Sequence, residues 1–156
     1  MIGKPSTKDV VIIMADDDED DVFLTRRALQ DSKLGNTFCA VNNGQQLLDF
    51  LRNNPPYEDT QKYPRPSIIL LDLNMPVLNG RETLTELKKD PQLRTIPVIV
   101  MTTSQDEVDV YTSYDLGANS YIVKPVTLPK MIQCIDLLDQ YWLKLVKIPG
   151  KSYVGG

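Results

Sequence analysis

Histidine is absent from this chain of 156 residues. Its absence removes the commonest zinc ligand, the catalytic triads that depend on histidine and the usual general base. Cysteine occurs only at Cys39 and Cys134, and these two positions form no C-x-x-C motif. Two isolated cysteines are typical of buried thiols in a cytoplasmic protein, not of a disulfide framework or a metal site.

Long apolar runs and blocks of basic residues are also missing. No stretch approaches the roughly 20 apolar residues that a membrane span needs, and the N-terminus MIGKPSTKD has no apolar signal region. The net charge of −4 argues against a nucleic-acid-binding surface. A composition of 42% hydrophobic and 24% charged residues is typical of one globular domain. We therefore expect a cytoplasmic protein with no membrane or nucleic-acid partner.

Five apolar runs alternate with helical patterns along the chain. The runs predicted as strands are 10–14, 37–41, 67–71, 96–101 and 120–123. The predicted helices cover 22–34, a segment opened by Asn43-Gly44, 80–89, a segment that begins with the S-x-x-E capping box 104–107 and ends at Gly117, and a segment from Thr127 to 145/146. The expected organisation is a flexible leader over 1–8, one domain over 9–146 with a proline-bearing surface loop over 53–66, and a tail over 147–156 without an output domain.

Strands this apolar indicate a parallel sheet that helices cover on both faces. In open sheets of this kind, ligands bind beyond the carboxyl ends of the strands. Polar residues follow four of the predicted strands and are expected to meet at one edge: Asp16 and Asp17, Asp72, Thr102, and Lys124. Each one alone has an ordinary structural explanation, and only their joint position indicates a site. The acids 18–21 are interpreted instead as a helix cap and an acidic first turn.

Carboxylates crowded at one edge repel each other and coexist most easily around a hard divalent cation. Mg2+ is the expected ion, because it prefers oxygen ligands and keeps open positions at which phosphate groups bind. The ammonium of Lys124 suits a phosphoryl oxygen or Asp72 itself, and the Thr102 hydroxyl can donate to the same oxygens. Asp72 is then a candidate nucleophile toward phosphorus, since aspartate carboxylates form aspartyl phosphates.

Together with Met75-Pro76, Gly80 and Pro125, these residues resemble in order and spacing the receiver domain of two-component response regulators. The resemblance covers about residues 9–146. It implies a flavodoxin-like (βα)5 three-layer sandwich with a parallel five-stranded sheet of order 2-1-3-4-5. It also implies a signalling phosphoacceptor that is not a conventional enzyme and has at most autophosphatase activity.

The resemblance further implies how such a module works. Asp72 accepts a phosphoryl group from a histidine kinase, and Thr102 and Lys124 hold the phosphoryl oxygens. Tyr121 falls on the family's aromatic switch position and is coupled to Thr102, so that the output is a changed surface on the last two helices and the strand between them. A half-buried strand tyrosine with a hydrated hydroxyl is the alternative interpretation of Tyr121.

By the same resemblance, Mg2+ is bound directly by Asp17 and Asp72, mostly through water by Asp16, and by the backbone carbonyl of Asn74. Asn74 also bears on a rival function, an aspartyl-phosphate phosphatase of the haloacid dehalogenase type. Such enzymes need a second acid two residues after the nucleophile, and here that position is Asn74. Another rival is a degenerate receiver that acts as an unphosphorylated docking module, although all the acceptor residues are present.

Peripheral segments narrow the resemblance. The loop 53–66, the stretch GRETLTELKKDP and the ending DQYWLKLVKIPG are similar to the single-domain regulators that serve cyanobacterial and bacterial phytochrome kinases. The implied partner is a phytochrome-type histidine kinase. Light sensing then belongs to that kinase, and no bilin is implied for this chain.

The last predicted helix carries more apolar residues than one face of a sheet requires. Beyond its inward stripe it has Cys134, Leu137, Tyr141 and Leu145, and the preceding helix adds Tyr111 and Tyr114. Aromatic and apolar residues are favoured at interface cores, so we expect a homodimer through the last helices. The alternative is that the C-terminal turns fold back and cover part of this surface.

Overall fold

The computed structural model describes residues 10–31 and 36–149, except for the side chains of 36 and 143–145. The strands are β1 (Val10–Ala15), β2 (Asn36–Val41), β3 (Ile68–Leu71), β4 (Val98–Thr102) and β5 (Ser120–Val123). The helices are α1 (Glu19–Gln30), α2 (Gly44–Leu51), α3 (Gly80–Lys89), α4 (Glu107–Asp115) and α5 (Leu128–Leu138), and α5 continues into a π-helical segment, Asp139–Leu145. Strands and helices alternate as the sequence predicts.

The five strands form one parallel sheet in the order β2-β1-β3-β4-β5. The chain moves outward from β1 to β2 and then returns to the other side of β1 with β3, so the strand order switches between β1 and β3. In open α/β sheets, the crevice at such a switch point is where ligands bind. The predicted flavodoxin-like fold with strand order 2-1-3-4-5 is confirmed.

Alternate residues of the strands feed two separate apolar cores. On β1, Ile13 and Ala15 face the core that α2 and α3 complete, whereas Ile12 and Met14 face the core that α1 and α5 complete. This alternation follows from the two-residue period of a strand and gives the three layers of the sandwich. Because both faces are covered, polar side chains of the central strands can gather only at the strand ends.

Helix α1 begins with the cap and acidic first turn predicted for 18–21, three residues before the predicted apolar helical pattern. The expected range was 22–34, but the helix starts at Glu19, because the side chain of Asp18 accepts hydrogen bonds from the backbone N–H groups of Asp20 and Asp21 and caps the helix. It ends at Gln30, and the rest of the predicted range, 32–34, lies outside the described residues. The early start carries Asp21 into the first turn, directly behind the end of β1.

The capping box lies on a different helix from the one that was predicted. The expected box at 104–107 is wrong, because Asp106 caps α4 with its own side chain and Ser104 lies outside the helix. The box occurs at α3 instead, where Asn79 and Glu82 each accept a hydrogen bond from the other's backbone N–H. Asn79 is thereby fixed seven residues after Asp72.

The last predicted helix is not one continuous α-helix. Thr127 caps it as expected, but the α-helical part ends at Leu138 and the next seven residues are π-helical, so the prediction of one helix to 145/146 is wrong. Leu138 and Trp142 still pack against the same core. The apolar stripe therefore survives the change in helical geometry.

The loop 53–66 joins α2 to β3 at the amino ends of the strands, opposite the switch point. Its rings Tyr57 and Tyr63 pack against each other and against Phe50 of α2, with centroid separations of 5.1 to 5.5 Å. The side-chain amide of Asn53 donates to the backbone carbonyls of Tyr57 and Tyr63. The loop is therefore tied to the body of the protein by its own aromatic residues.

Two of the predicted segments lie at the ends of the chain. The leader over 1–8 lies outside the described residues, and the tail over 147–156 is described only as far as residue 149. Within 10–31 and 36–149, no helix combines the length and the apolar character that crossing a membrane requires.

Candidate functional site

The carboxyl ends of β1 and β3 bring three carboxylates together. Asp16 follows β1, Asp17 comes next, and Asp72 follows β3. One carboxylate oxygen from each of the three lies within 4.8 Å of the others. Asp16 and Asp72 are buried, whereas Asp17 is exposed, so the cluster opens toward solvent on one side.

Backbone contacts hold Asp72 rigidly at its position. Its N–H donates to the Ala15 carbonyl at 3.1 Å, and its Oδ1 accepts from the Asn74 N–H at 3.4 Å. Gly80, at the start of α3, packs so closely beneath this turn that a Cβ there would lie 2.3 Å from the Asp72 carbonyl oxygen. Only glycine permits this approach, and the turn after β3 depends on it.

Lys124 lies at the centre of the acidic residues. Its backbone N–H donates to the Thr102 carbonyl at 2.8 Å, which extends the β4–β5 pairing and directs the side chain over the sheet edge. Its Nζ donates to Asp72 Oδ2 at 3.0 Å and to Asp21 Oδ2 at 2.7 Å, and it forms an ion pair with Asp16 Oδ2 at 2.7 Å. One buried ammonium is thus shared by three carboxylates.

Burial and neighbouring charges together shift two pKa values at the site. Burial raises the pKa of Asp16 to about 6, and the neighbouring Lys124 offsets this rise only in part. Burial alone would lower the pKa of Lys124, but hydrogen bonds to Asp16 and Asp21 and the charge of Asp72 outweigh it and raise the pKa above its ordinary value. Lys124 is therefore charged, and the carboxylates around it exceed what one cation can neutralise.

Thr102, the last residue of β4, is fully buried, and its hydroxyl has no hydrogen-bond partner among the described residues. A buried hydroxyl without a partner carries a desolvation cost, which suggests an oxygen ligand that the protein alone does not supply. Thr102 shares the carboxyl edge of the sheet with Asp72 and Lys124. It is the unpaired donor at this edge.

Tyr121 lies on β5 and is partly buried. Its hydroxyl donates to the Ser104 carbonyl at 3.0 Å, and its backbone N–H donates to the Tyr114 hydroxyl of α4 at 3.1 Å. The hydroxyl therefore points toward the loop after β4 and binds protein there. The structure places Tyr121 beside the segment that follows Thr102.

The carboxylate cluster is chemically suited to a hard divalent cation. All three side-chain donors are oxygens, and the exposed Asp17 leaves room for water or another oxygen ligand. Histidine and thiolate ligands, which softer metals prefer, do not occur in this cluster. Asn74, the fourth predicted ligand, is exposed two residues beyond Asp72.

Sequence reasoning missed Asp21, which was interpreted only as part of an acidic first turn. Its position was implicit in the sequence: with Asp18 as the cap, Asp21 is the third helical residue, and side chains there point back toward the helix start. Reasoning also missed a link between α3 and α4, in which Arg81 forms an ion pair with Asp109 and Asp109 Oδ2 accepts from the Ser104 hydroxyl at 2.6 Å.

The strand order and the acidic edge both agree with the receiver domain that the sequence resembles. The model of the response regulator receiver domain matches residues 12–136. The chain therefore belongs to the response regulator receiver domain family.

Several relatives resemble the chain over most of its length. Response regulator Rcp1 of Synechocystis sp. is 37% identical over 139 residues, which cover 89% of this chain and 92% of Rcp1. The crystal structure of the phosphorylated cyanobacterial phytochrome response regulator RcpA has a TM-score of 0.85 at 36% identity and covers 91% of this chain and 99% of RcpA. The Mn2+-bound form of Rcp1 has a TM-score of 0.82 at 36% identity, with coverage of 90% and 99%. The prediction of similarity to phytochrome response regulators is confirmed.

Proposed function

We propose that this chain is a phosphoacceptor of two-component signalling, in which Asp72 receives the phosphoryl group. The supporting observation is the surroundings of Asp72: a buried lysine 3.0 Å from Oδ2 and a carboxylate cluster with room for a cation. At the same edge, the buried Thr102 hydroxyl lacks a partner among the described residues. Together these provide a nucleophile, a cation and a donor for phosphoryl oxygens.

The transfer step needs only positioned charge. A carboxylate oxygen of Asp72 attacks phosphorus in line with the nitrogen of a kinase phosphohistidine, the P–O bond forms, the P–N bond breaks, and the leaving imidazole keeps the electron pair and takes a proton from water. Lys124 and Thr102 donate hydrogen bonds to the equatorial phosphoryl oxygens. Because the transition state is loose, positioning and neutralisation of charge are the main contributions of the protein.

Asp16, Asp17, Asp72 and the backbone carbonyl of Asn74 would hold the metal, with Mg2+ as the proposed ion. When bound, the ion neutralises charge on the transferring phosphoryl group. The observation that supports a divalent cation is the all-oxygen cluster, and the solved Mn2+-bound form of the relative Rcp1 gives further support. Excess negative charge around Lys124 is a second reason to expect a cation at this edge.

The output of the proposed switch is a change on the surface of α4, β5 and α5. Tyr121 and Thr102 lie on neighbouring strands, and Tyr121 binds the loop that follows Thr102. A phosphoryl oxygen that engages the Thr102 hydroxyl changes the surroundings of this loop. Phosphorylation would then bias an existing equilibrium of the loop and of Tyr121.

The test is incubation with Mg2+ and acetyl phosphate, a small acyl phosphodonor. We expect one acid-stable, base-labile phosphoryl group on each chain, detected as a mass increase of the intact protein. Asp72→Asn should abolish it, whereas Asp115→Asn, an exposed acid at the end of α4, should be labelled like the wild type. Undiminished labelling of Asp72→Asn would contradict the proposal. The absence of Mg2+-dependent labelling of the wild type would favour an unphosphorylated docking module.

A phosphatase is the less favoured function. The side chain two residues beyond Asp72 is the amide Asn74, which cannot protonate a leaving group as a carboxylic acid does. We propose no enzyme activity beyond hydrolysis of the chain's own aspartyl phosphate. Turnover of phosphomonoesters at enzyme-like rates would overturn this view.

The proposed kinase partner is of the phytochrome type. Support comes from the similarity to RcpA, described as a cyanobacterial phytochrome response regulator, and to RtBRR, a bacteriophytochrome response regulator that is 39% identical with a TM-score of 0.71. Phosphotransfer from a panel of purified kinases, followed over time, tests the assignment. Phytochrome kinases should label Asp72 fastest, and a faster non-phytochrome kinase would contradict the choice.

We also propose a cytoplasmic location, which the two free thiols Cys39 and Cys134 support.

We further propose a homodimer through the surface of α4, β5 and α5. Large apolar side chains are exposed there, including Tyr111 at 73%, Leu137 at 66% and Tyr141 at 54%. Beside them an open groove is lined by Val123, Cys134 and Trp142, among others. The predicted contribution of Leu145 lies outside the described side chains. Exposed apolar and aromatic side chains beside an apolar groove are typical of an interface core.

Light scattering coupled to size-exclusion chromatography tests the dimer. Leu137→Glu should shift the mass toward that of a monomer, because a carboxylate in the middle of an apolar interface loses its hydration. Phe23→Glu is the matched control, since Phe23 is 59% exposed but lies on α1. A monomeric wild type at micromolar concentration, or dissociation by both variants, would contradict the proposed surface.

A further inference from the structure

Lys124 has three carboxylate partners, and they differ in what else they do. A lysine ammonium has three N–H donors, and here its neighbours are Asp16, Asp21 and Asp72 at 2.7, 2.7 and 3.0 Å. Asp16 and Asp72 also belong to the cluster suited to a cation, whereas Asp21 does not. Of the three partners of Lys124, Asp21 is the one that belongs neither to the proposed metal site nor to the proposed phosphorylation site.

We propose that Asp21 is a positioning residue for Lys124. This inference rests on the proposed phosphoacceptor function and adds to it a residue that acts through Lys124, without touching the phosphoryl group. When Asp16 turns toward a cation and Asp72 carries a phosphoryl group, Asp21 keeps the ammonium at the sheet edge. The lysine then points a donor at the phosphoryl oxygens throughout the cycle.

The local structure gives Asp21 a fixed position. The Asp18 side chain caps α1, the Asp21 N–H donates to it at 3.3 Å, and the Thr25 hydroxyl donates to the Asp21 carbonyl at 2.8 Å. The Asp21 side chain is only 18% exposed. Asp20, the residue before it, is exposed and forms no ion pair with Lys124. The two neighbouring acids therefore differ in their contact with Lys124, although they lie in the same helical turn and carry the same charge.

Without Asp21, the ammonium would rely wholly on Asp16 and Asp72, which are carboxylates that a cation also needs. Lys124 would then compete with the cation more strongly, and it would follow Asp16 and Asp72 when they move. Two measurable effects are expected: weaker binding of divalent cation to the unphosphorylated protein, and slower labelling of Asp72.

The first test is calorimetric titration of the unphosphorylated protein with Mg2+, which requires no phosphorylation. Asp21→Asn should weaken binding about fivefold, or ~1 kcal/mol at 1.4 kcal/mol for each factor of ten. Asp20→Asn removes the same charge from the same turn and should weaken binding by less than about twofold. In a Lys124→Met background, Asp21→Asn should also cost less than about twofold, because the coupled partner is gone.

Because Lys124→Met leaves several acids without a compensating charge, Asp21→Glu provides a test that does not depend on that variant. A glutamate keeps the charge on a longer arm and should restore Mg2+ affinity to within about twofold of the wild type. Equal affinities for Asp21→Asn and Asp20→Asn would overturn the inference. So would a loss on Asp21→Asn that persists undiminished in the Lys124→Met background.

The second test is the rate at which acetyl phosphate labels Asp72 under saturating Mg2+. Asp21→Asn should lower the maximal rate about fivefold, Asp21→Glu should recover most of it, and Asp20→Asn should match the wild type. If the wild type is not labelled, the proposed function fails while the Mg2+ titrations still decide the role of Asp21. If the wild type is labelled and Asp21→Asn is labelled equally fast, only the present inference fails.

Discussion

The Tyr121 hydroxyl binds the backbone carbonyl of Ser104 at 3.0 Å, and so β5 is joined to the loop that follows β4. The Ser104 hydroxyl in turn donates to Asp109 of α4 at 2.6 Å, and Asp109 pairs with Arg81 of α3. The loop is therefore held from both sides, by a strand and by two helices. Any movement of Tyr121 must break or replace this hydrogen bond.

Tyr121→Phe removes the donor of that bond and keeps the ring. Because one hydrogen bond contributes about 1 kcal/mol net, the free energy of unfolding should fall by ~1 kcal/mol in urea denaturation. Tyr111→Phe is the matched control, since Tyr111 is 73% exposed, and it should leave stability unchanged. Equal stability of Tyr121→Phe and the wild type would show that the bond to Ser104 is not formed in solution.

Thr102→Val should separate stability from function. The buried hydroxyl lacks a partner among the described residues, so its isosteric removal should stabilise the unphosphorylated protein by about 1 kcal/mol, while the labelling of Asp72 declines. Thr25→Val is the control, because the Thr25 hydroxyl is also buried but donates to the Asp21 carbonyl at 2.8 Å. Thermal unfolding without Mg2+ should rank Thr102→Val highest and Thr25→Val lowest. A destabilised Thr102→Val would contradict the assignment of an unpaired donor.

The pH dependence of stability should carry the signature of Asp16. Its pKa is about 6 in the folded state against 3.8 ordinarily, so between these values the folded protein binds more protons than the unfolded chain. The free energy of unfolding that Asp16 contributes is therefore fully present below about pH 3.8, and it is lost as the pH rises through about 6.

Asp16→Asn removes this titration. In EDTA at about pH 7.5, where linkage predicts the full cost of the wild-type carboxylate, the variant should unfold at a higher temperature than the wild type. The difference should shrink toward about pH 4, where Asp16 is protonated in the folded protein. A constant difference across this range would mean that Asp16 titrates normally.

Val77 lies in the turn between Asp72 and Gly80 with φ of 68°, a left-handed conformation that β-branched residues rarely adopt. Its side chain is 79% exposed, so no burial compensates for the strain. Val77→Asn should stabilise the protein by ~1 kcal/mol, because asparagine tolerates this conformation. Val126→Asn, at an 86% exposed valine without positive φ, is the control and should have no such effect. If both variants behave alike, the turn is not strained.

Much of the site could be predicted because parallel strands present their carboxyl ends at one edge. That rule alone places Asp16, Asp72, Thr102 and Lys124 close together, since each follows or ends an apolar run. The apolar runs also predict the two cores, because strands this apolar must be covered by helices on both faces. The strands are easy to recognise because burial on both faces makes them near-continuous apolar runs.

What the sequence did not reveal depends on competition between local groups. Asp21 was grouped with its acidic neighbours, although its side chain points about 100° around the helix from that of Asp20. At α4, Ser104 was expected to cap, but Asp106 lies closer to the first turn and its carboxylate accepts from the Val108 N–H. The π-helical geometry after Leu138 leaves the apolar spacing almost unchanged, so periodicity could not distinguish it from an α-helix.

The aromatic closure of the loop 53–66 lies at the opposite end of the sheet from the carboxylate cluster. Phe50, Tyr57 and Tyr63 anchor this connection at the amino ends of the strands, far along β3 from Asp72. Exposed outer residues such as Glu58 and Thr60 can therefore be exchanged without disturbing the anchor. Substitutions on the outside of this loop should therefore leave the carboxylate cluster at the opposite end of the sheet unchanged.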